Sequence, residues 1–281
     1  MITHLLLDAD LAAYRAASAC QKDFDWGDGV TSRTTDLDGA KDAMRQFIDS
    51  LMAKLKADKL TVCLSDDFRS FRKEQVDPTY KGNRKDVERP EELYRIKAWL
   101  EEEYDTARTT TLEADDVMGI LSTTPDHGEK RIIVSQDKDM RTIPGYLYRP
   151  YDDNPKVTLI TEAEADWYHM YQTLTGDAVD GYPGCPSVGP KTASECLTHM
   201  LGVVPVHTEI SRGPNKGTIR TRWEAAGMDT HWEIVLSHFA RAGLGPKAAL
   251  TQARLARILR WEDCPNGRVR LWSPPANKSP L

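Results

Sequence analysis

Three short apolar runs in the first half of the chain each run into acid. HLLL leads to Asp8, TVCLS to Asp66 and Asp67, and IIVSQ to Asp137. Runs of this kind read as strands, here His4–Leu7, Leu60–Leu64 and Arg131–Val134, with a further one at Tyr146–Tyr148. Helical patterns alternate with them. Asp38–Ala57 carries Ala40, Ala43, Met44, Phe47, Ile48, Leu51 and Leu55 at helical spacing, and Pro90–Tyr104 and Glu113–Ser122 follow. That alternation predicts an α/β fold with a central, mostly parallel sheet and flanking helices. In such sheets ligands bind just beyond the carboxyl ends of the strands, so the three acids are expected to converge on one crevice.

The remainder of the chain has a different character. Phe68–Arg89 is polar and basic with Pro78 and Gly82 as breakers, and it reads as a loop or functional arm. From Thr161 the pattern turns helical, at Glu162–Leu174, Pro190–Leu201, His231–Arg241 and Pro246–Trp261. Between the first two lies TGDAVDGYPGCPSVGPKT, too rich in Gly and Pro for a helix. Gly202–Asp229 reads as a short basic hairpin turning at Asn215–Gly217, and the tail SPPANKSPL as frayed. Two regions follow, an α/β core over 1–160 with an arm at about 68–104, and a helical region over 161–281.

No apolar run approaches the roughly 20 residues of a membrane span. The start lacks the basic flank of a signal peptide, and five cysteines form no C-x-x-C pair. A reducing cytoplasm is therefore expected. The formal charge is −6, which by itself disfavours a polyanionic partner, so the positions of the acids matter.

Asp8 and Asp10, like Asp137 and Asp139, are two apart, so in extended chain each pair projects to one side. In LEADDVMGIL, Glu113 shares helical spacing with Val117 and Ile120, and Asp116 lies only about 60° around the helix from Glu113. Asp177 and Asp180 are three apart, on one side of any helical turn. Packed together, such carboxylates would raise one another's pKa, and hard divalent cations would relieve them. An all-oxygen donor set suits Mg²⁺ or Mn²⁺ rather than zinc. A pair of such ions about 4 Å apart is the usual apparatus of phosphodiester hydrolysis.

In order, LLLDAD, YKGNRK, EADD, SQDKD and GDAVDGYPGCPSVGPKTA resemble the 5′-nuclease superfamily, which includes flap endonucleases, the 5′-nuclease domain of bacterial DNA polymerase I and phage 5′→3′ exonucleases. The match runs from Leu5 to about Leu201 and looks most like a free-standing phage enzyme. The resemblance implies a resolvase-like core, a helical arch and a helix–three-turn–helix DNA-binding motif at about 176–200. It assigns Asp8, Asp66, Glu113, Asp115 and, less directly, Asp116 to a tighter metal site, and Asp137, Asp139, Asp177 and Asp180 to a second. Asp67 is left as a neighbour of Asp66, and Asp10 has no clear counterpart. Lys81 and Arg84 match a basic pair at the scissile phosphate, and Tyr80 an aromatic that stacks on a terminal base. Gly184, Ser187, Val188, Gly189, Lys191 and Thr192 match the turn that grips duplex backbone, which in some members also holds K⁺.

The implied function is a Mg²⁺- or Mn²⁺-dependent 5′→3′ exodeoxyribonuclease. It would act on 5′ ends, nicks or flaps of duplex DNA, and on RNA primers in RNA–DNA hybrids, during phage replication or recombination. It is expected to be a cytoplasmic monomer with no membrane partner. The alternatives are a structure-specific flap endonuclease, a non-catalytic DNA-binding accessory protein, and a toxin-type ribonuclease. A P-loop is disfavoured, because Pro190 interrupts the match at Gly184–Lys191 and no strand precedes it. Arg212, Lys216, Arg220 and Arg222 form either a second backbone strip or a solvated charge run. Trp223, Trp232 and Trp261 are expected in the core. Without the nine proposed metal-site carboxylates the charge of −6 becomes +3 for the remaining surface.

Overall fold

A computed structural model describes residues 1–28, 30–84, 88–125 and 128–275. The expected arm therefore includes three residues, 85–87, that lie outside the described ones, as does most of the tail read as frayed. The chain divides into two compact units. The first comprises Met1–Glu74, Arg84–Ala165 and Ile258–Arg270, and the second is built chiefly from Gln75–Asn83 and Asp166–Arg257. The sequence placed the junction at 160/161. In the structure it falls at 165/166, and the segments 75–83 and 258–270 each belong to the unit that is remote from them in sequence.

In the first unit, β1 (Ile2–Asp8) leads into α1 (Ala9–Ala19), followed by a hairpin of β2 (Gln21–Asp25) and β3 (Thr31–Thr35). Then come α2 (Leu37–Leu55), β4 (Lys59–Leu64), α3 (Leu93–Glu103), β5 (Thr106–Arg108), α4 (Ala114–Thr123), β6 (Glu129–Val134), β7 (Gly145–Tyr148) and β8 (Val157–Ile160). The six-stranded sheet has the order β5-β4-β1-β6-β7-β8, parallel except for the last pair. Leu5, Leu6 and Leu7 are all buried, as expected of a parallel strand covered on both faces. One cluster joins Leu5 and Leu7 to Val62, Ile132 and Val134 of the sheet, to Met44 and Ile48 of α2, and to Ile96, Trp99 and Leu100 of α3. The helix α3, which falls within the span expected for the arm, is thus a core helix.

One element departs from the sequence reading. The chain turns helical directly after Asp8, because Asp8 caps α1 by accepting the Leu11 N–H at 3.2 Å. Asp10 therefore sits in the first helical turn. The sheet order also places neighbours of β1 that come later in the chain on opposite sides of it, β4 on one side and β6 on the other. That reversal defines a switch point between β1 and β6.

The second unit contains most of α5 (Glu162–Thr175), then α6 (Pro190–Thr198), a hairpin of β9 (Leu201–Glu209) and β10 (Ile219–Gly227), α7 (His231–Arg241) and α8 (Pro246–Ala256). Its core joins Met170 and Leu174 of α5, Cys185, Val188, Ala193 and Leu197 around α6, and Ile234, Val235 and Phe239 of α7. Trp232 packs partly buried against this cluster. Trp223 is half-buried on the hairpin, and Trp261, expected in the core, is 48% exposed in the first unit. The helix read as Pro246–Trp261 ends at Ala256.

Candidate active site

Asp8 ends β1 and Asp137 follows β6, so both stand at the switch point. Ser135, fully buried between them, ties the two together. Its hydroxyl donates to Asp8 Oδ2 at 2.6 Å and accepts the Asp137 N–H at 3.0 Å. Sequence reasoning missed this serine, although it stands two residues before Asp137 in the same run. Burial, together with the neighbouring Asp10 and Asp137 carboxylates, pushes the Asp8 carboxyl up to about 6 against the lowering effect of the Ser135 hydrogen bond. Cys63, in register with Asp8 on β4, is pushed well above its ordinary value by burial and by Asp8, Asp10, Asp105 and Asp115. The crevice therefore carries concentrated negative potential.

Asp137 and Asp139 are not an extended pair. Asp137 caps a short 3₁₀ turn, Lys138–Thr142, by accepting the Asp139 N–H at 2.7 Å, and Asp139 is buried with Lys138 Nζ at 2.8 Å. The turn is fastened from behind. Arg149 donates to the Asp137 carbonyl at 3.2 Å, is held by Asp152 at 3.3 Å, and Asp152 in turn accepts from Gln136 at 2.8 Å.

The acids of EADD have separate fates. Ser65 Oγ accepts the Ala114 N–H at 2.8 Å and so anchors the start of α4 beyond β4, with Asp115 half-buried in its first turn. Asp116 is fully buried and paired with Arg72, itself fully buried, through two hydrogen bonds of 2.7 and 2.8 Å. Asp116 also accepts the Glu113 N–H at 3.2 Å and the Leu259 N–H at 3.1 Å. These four bonds make it a structural hub, a role beside the metal-site assignment that the resemblance implies for it. Glu113 lies 3.6 Å from the same guanidinium.

Asp66 is likewise engaged by backbone. It accepts the N–H groups of Phe68 (3.0 Å), Arg69 (3.2 Å) and Thr111 (2.9 Å), and its pKa is lowered, by the Thr111 bond first. Its neighbour Asp67 pairs with Lys97 and Arg108, and Lys97, buried in α3, also lies 2.8 Å from Asp10. Asp10 and Asp67 thus neutralise a buried lysine. As placed, no three His, Cys, Asp or Glu side chains among the described residues form a ready metal cage.

In the second unit Asp177 and Asp180 do not lie on a helix. Asp177 bridges to Tyr182 and accepts the Val179 N–H at 2.8 Å, closing a tight turn. The YKGN segment docks on that turn: Lys81 N–H donates to the Asp180 carbonyl at 2.9 Å and Asn83 to the Ala178 carbonyl at 2.8 Å. Tyr80 is 2% exposed among Tyr182, Leu255 and Ala256, and its hydroxyl donates to Asp180 at 2.7 Å. The ring expected to stack on a terminal base is thus packed inside the second unit. Lys81 Nζ lies 3.8 Å from Asp180, while Arg84 is exposed in a short 3₁₀ turn.

The turn before α6 also divides. Gly184 is buried and gives its N–H to Gln252 at 2.8 Å, and it approaches Gly176 so closely that a Cβ would fall 2.3 Å from the Gly176 nitrogen. Val188 is buried in the core. The Val188 N–H donates to the Cys185 carbonyl at 3.2 Å, so the amides of both are engaged within the protein. Ser187, Gly189, Lys191 and Thr192 are exposed together at the start of α6, where Gly189 caps without a side-chain bond and Pro190 is the first residue.

The chain belongs to the 5′-3′ exonuclease family: residues 3–165 match its N-terminal resolvase-like domain. It is a nuclease of that family. Over 96% of its length it is 34% identical to the exodeoxyribonuclease of Enterobacteria phage T3, covering 92% of that protein. It is 33% identical to the exonuclease of Escherichia phage T7, again over 96% of the chain and 93% of the relative. The fold is similar to that of the T5 5′-exonuclease solved with bound zinc, at a TM-score of 0.52 and 18% identity over 70% of this chain and 75% of that one.

Proposed function

We propose that the chain hydrolyses the phosphodiester backbone of duplex DNA progressively from 5′ ends, including those at nicks and flaps and those of RNA primers, with two divalent ions of the Mg²⁺ or Mn²⁺ type. The observation that carries this reading is the Asp8–Ser135–Asp137 arrangement at the β1/β6 switch point, with the Asp8 carboxyl raised to about 6 by burial and by the neighbouring acids. A hard divalent cation fits such an all-oxygen set. Asp8, Asp115, Asp137, Glu113 and Asp139 would hold the ions. Asp66 shapes the loop and Asp116 the fold.

When bound, the ions supply charge for the phosphoryl transition state and lower the pKa of the attacking water. The chain supplies the remainder. Ser135 fixes two carboxylates in one geometry, and Arg149 holds the Asp137 turn against the repulsion of its neighbours. Lys81 and Arg84 add positive charge for the transferring phosphate. The uncapped start of α6, with Ser187, Lys191 and Thr192, offers N–H donors to backbone phosphates without reading bases. In the product the P–O3′ bond is broken.

Digestion of 5′-labelled blunt, nicked and flapped duplexes in Mg²⁺ tests this. Mononucleotides released from blunt ends support exonuclease action, whereas flap-length oligomers alone would replace it with a flap endonuclease. Near-wild-type rates for both Asp115→Asn and Asp137→Asn would overturn the metal assignment.

A further inference from the structure

The hairpin of β9 and β10 has no part in the chemistry above, yet it is a large investment of chain. Nine residue pairs form its ladder, from Leu201↔Gly227 to Ile219↔Glu209, a ribbon about 30 Å long at roughly 3.3 Å per residue. Only its base is packed. Gly202 is buried against Met228 and Ser237, and the Val203 N–H donates to Ser237 Oγ at 3.0 Å. From Ser211 to Arg222 every residue is exposed. A two-stranded ribbon without a buried face is marginal in water. Even so, its tip is tightly tied: Gly217 N–H to the Ile210 carbonyl at 2.8 Å, Ile210 N–H to Thr218 at 3.0 Å, and Thr218 Oγ1 to Asn215 at 2.7 Å.

The exposed part carries Arg212, Lys216, Arg220 and Arg222. None of the four has an ion-pair partner among the described residues, whereas Arg33, Arg69, Arg72, Arg108 and Arg149 of the first unit are all paired. The ribbon's two carboxylates, Glu209 and Glu224, stand opposite Ile219 and Val204 in the ladder and engage none of them. Arg220 and Arg222 are two apart in a strand and project from one face, beside Thr208 and Val206. On the other face His207 bonds Thr221 at 3.0 Å. In a chain of net charge −6, a projecting ribbon of net +2 with uncompensated guanidinium groups is complementary to a polyanion.

We propose that this hairpin is a second grip on duplex DNA, holding the sugar-phosphate backbone outside the catalytic crevice and independently of sequence. The proposal rests on DNA being the substrate. A two-stranded ribbon is of a size that a DNA groove admits, and Arg and Lys contacts to phosphate position rather than specify. The competing explanation is that the charges guard exposed strand edges against pairing with other chains. Glutamate would guard an edge equally well, so sign reversal separates the two.

The test uses the full chain with all four cations changed together, once to Gln and once to Glu. Binding of a fluorescent blunt duplex is followed by anisotropy in EDTA across a KCl series, with thermal melting as a control on folding. The proposal expects the slope of log K against log salt to fall by about 3 to 4 in the Gln variant, at about 0.9 for each phosphate no longer neutralised. It expects weaker binding still in the Glu variant. In Mg²⁺, KM should rise with kcat unchanged. A wild-type slope in both variants overturns the proposal, as does a Glu variant that binds fully while the Gln variant aggregates. Absence of duplex binding by the wild-type chain would instead overturn the reading of DNA as substrate, and this proposal with it.

Discussion

Asp115 and Asp116 are adjacent and chemically identical, and the structure gives them opposite consequences when altered. Asp116→Asn leaves the Arg72 guanidinium, fully buried, facing a neutral amide in place of a carboxylate. Breaking a buried pair from one side costs about 3–5 kcal/mol. An amide also cannot accept from the Glu113 and Leu259 N–H groups and from Arg72 together, so an orphaned donor adds about 1–3 kcal/mol. For a unit of this size each kcal/mol lowers the melting temperature by about 2–4 °C, giving a fall of about 8 °C or more. Asp115→Asn removes a half-buried charge from the first turn of α4, worth only about 0.3–1 kcal/mol to the helix. It should melt within about 4 °C of wild type. Calorimetry in EDTA beside a nuclease assay in Mg²⁺ separates them. Asp115→Asn should lose about 100-fold or more in rate with the fold intact, since even residues behind a metal ligand often cost 10–100-fold. Partnering Asp116→Asn with Arg72→Met should recover part of the lost stability, because the buried guanidinium is no longer left facing a neutral amide, although Glu113 loses its 3.6 Å neighbour. A wild-type melting temperature for Asp116→Asn, or equal destabilisation by both variants, would refute the hub.

Two further outcomes are expected. His238 is buried in α7, neither ring nitrogen has a hydrogen-bond partner among the described residues, and burial pulls its pKa down to about 4 from 6.5. The unfolded chain then takes up a proton that the folded one refuses, so stability is complete above pH 6.5 and falls towards pH 4, by about 3 kcal/mol in all. His238→Leu should flatten that part of a pH series of denaturant melts, and an unchanged slope would show the imidazole to be hydrated. Tyr80→Phe removes only the hydroxyl that donates to Asp180, a bond to a charged group worth about 1.5–3 kcal/mol, and should lower stability while leaving KM for blunt duplex unchanged. A base-stacking role would be seen as an unaltered melting temperature for Tyr80→Phe, with KM raised in Tyr80→Leu.

Strands β1, β4 and β6 were legible because a parallel strand covered on both faces is written as an unbroken apolar run. Helix α1 was not, since the residues it buries are Ala9, Ala12, Ala13 and Ala17, too small to mark a stripe, and Asp8 and Asp10 suggested continued strand. The β2–β3 hairpin is largely polar, and β5 and β8 are three and four residues long. At the site, the strand-end acids were visible individually. What separates Asp116 from Asp115 is an arginine 44 residues away, and no local spacing records it. Ser135 was invisible for a related reason: a serine beside a carboxylate is common, and only the switch point makes it a bridge. The pattern LARILRW continues α8 on paper. In the fold its Leu259 N–H belongs to Asp116 and Arg260 reaches the Thr142 carbonyl at 2.9 Å, so the chain leaves the helix after Ala256.

That departure governs when the first unit can be completed during synthesis. Leu259 seals the buried carboxylate of α4, the Trp261 N–H is received by Thr123 at 2.7 Å, and the Leu259 carbonyl occupies space that only a glycine at 119 leaves open. A ribosome that has finished residue 165 has made every strand of the large sheet but not the segment 258–270 that closes over α4. At about 5–20 residues per second, several seconds pass before that segment emerges. Throughout that interval the Arg72–Asp116 pair has an open flank, and a chain stopped at 165 would keep it open permanently. The first unit is thus contiguous in space but discontinuous in sequence, which couples its completion to translation of the intervening residues 166–257.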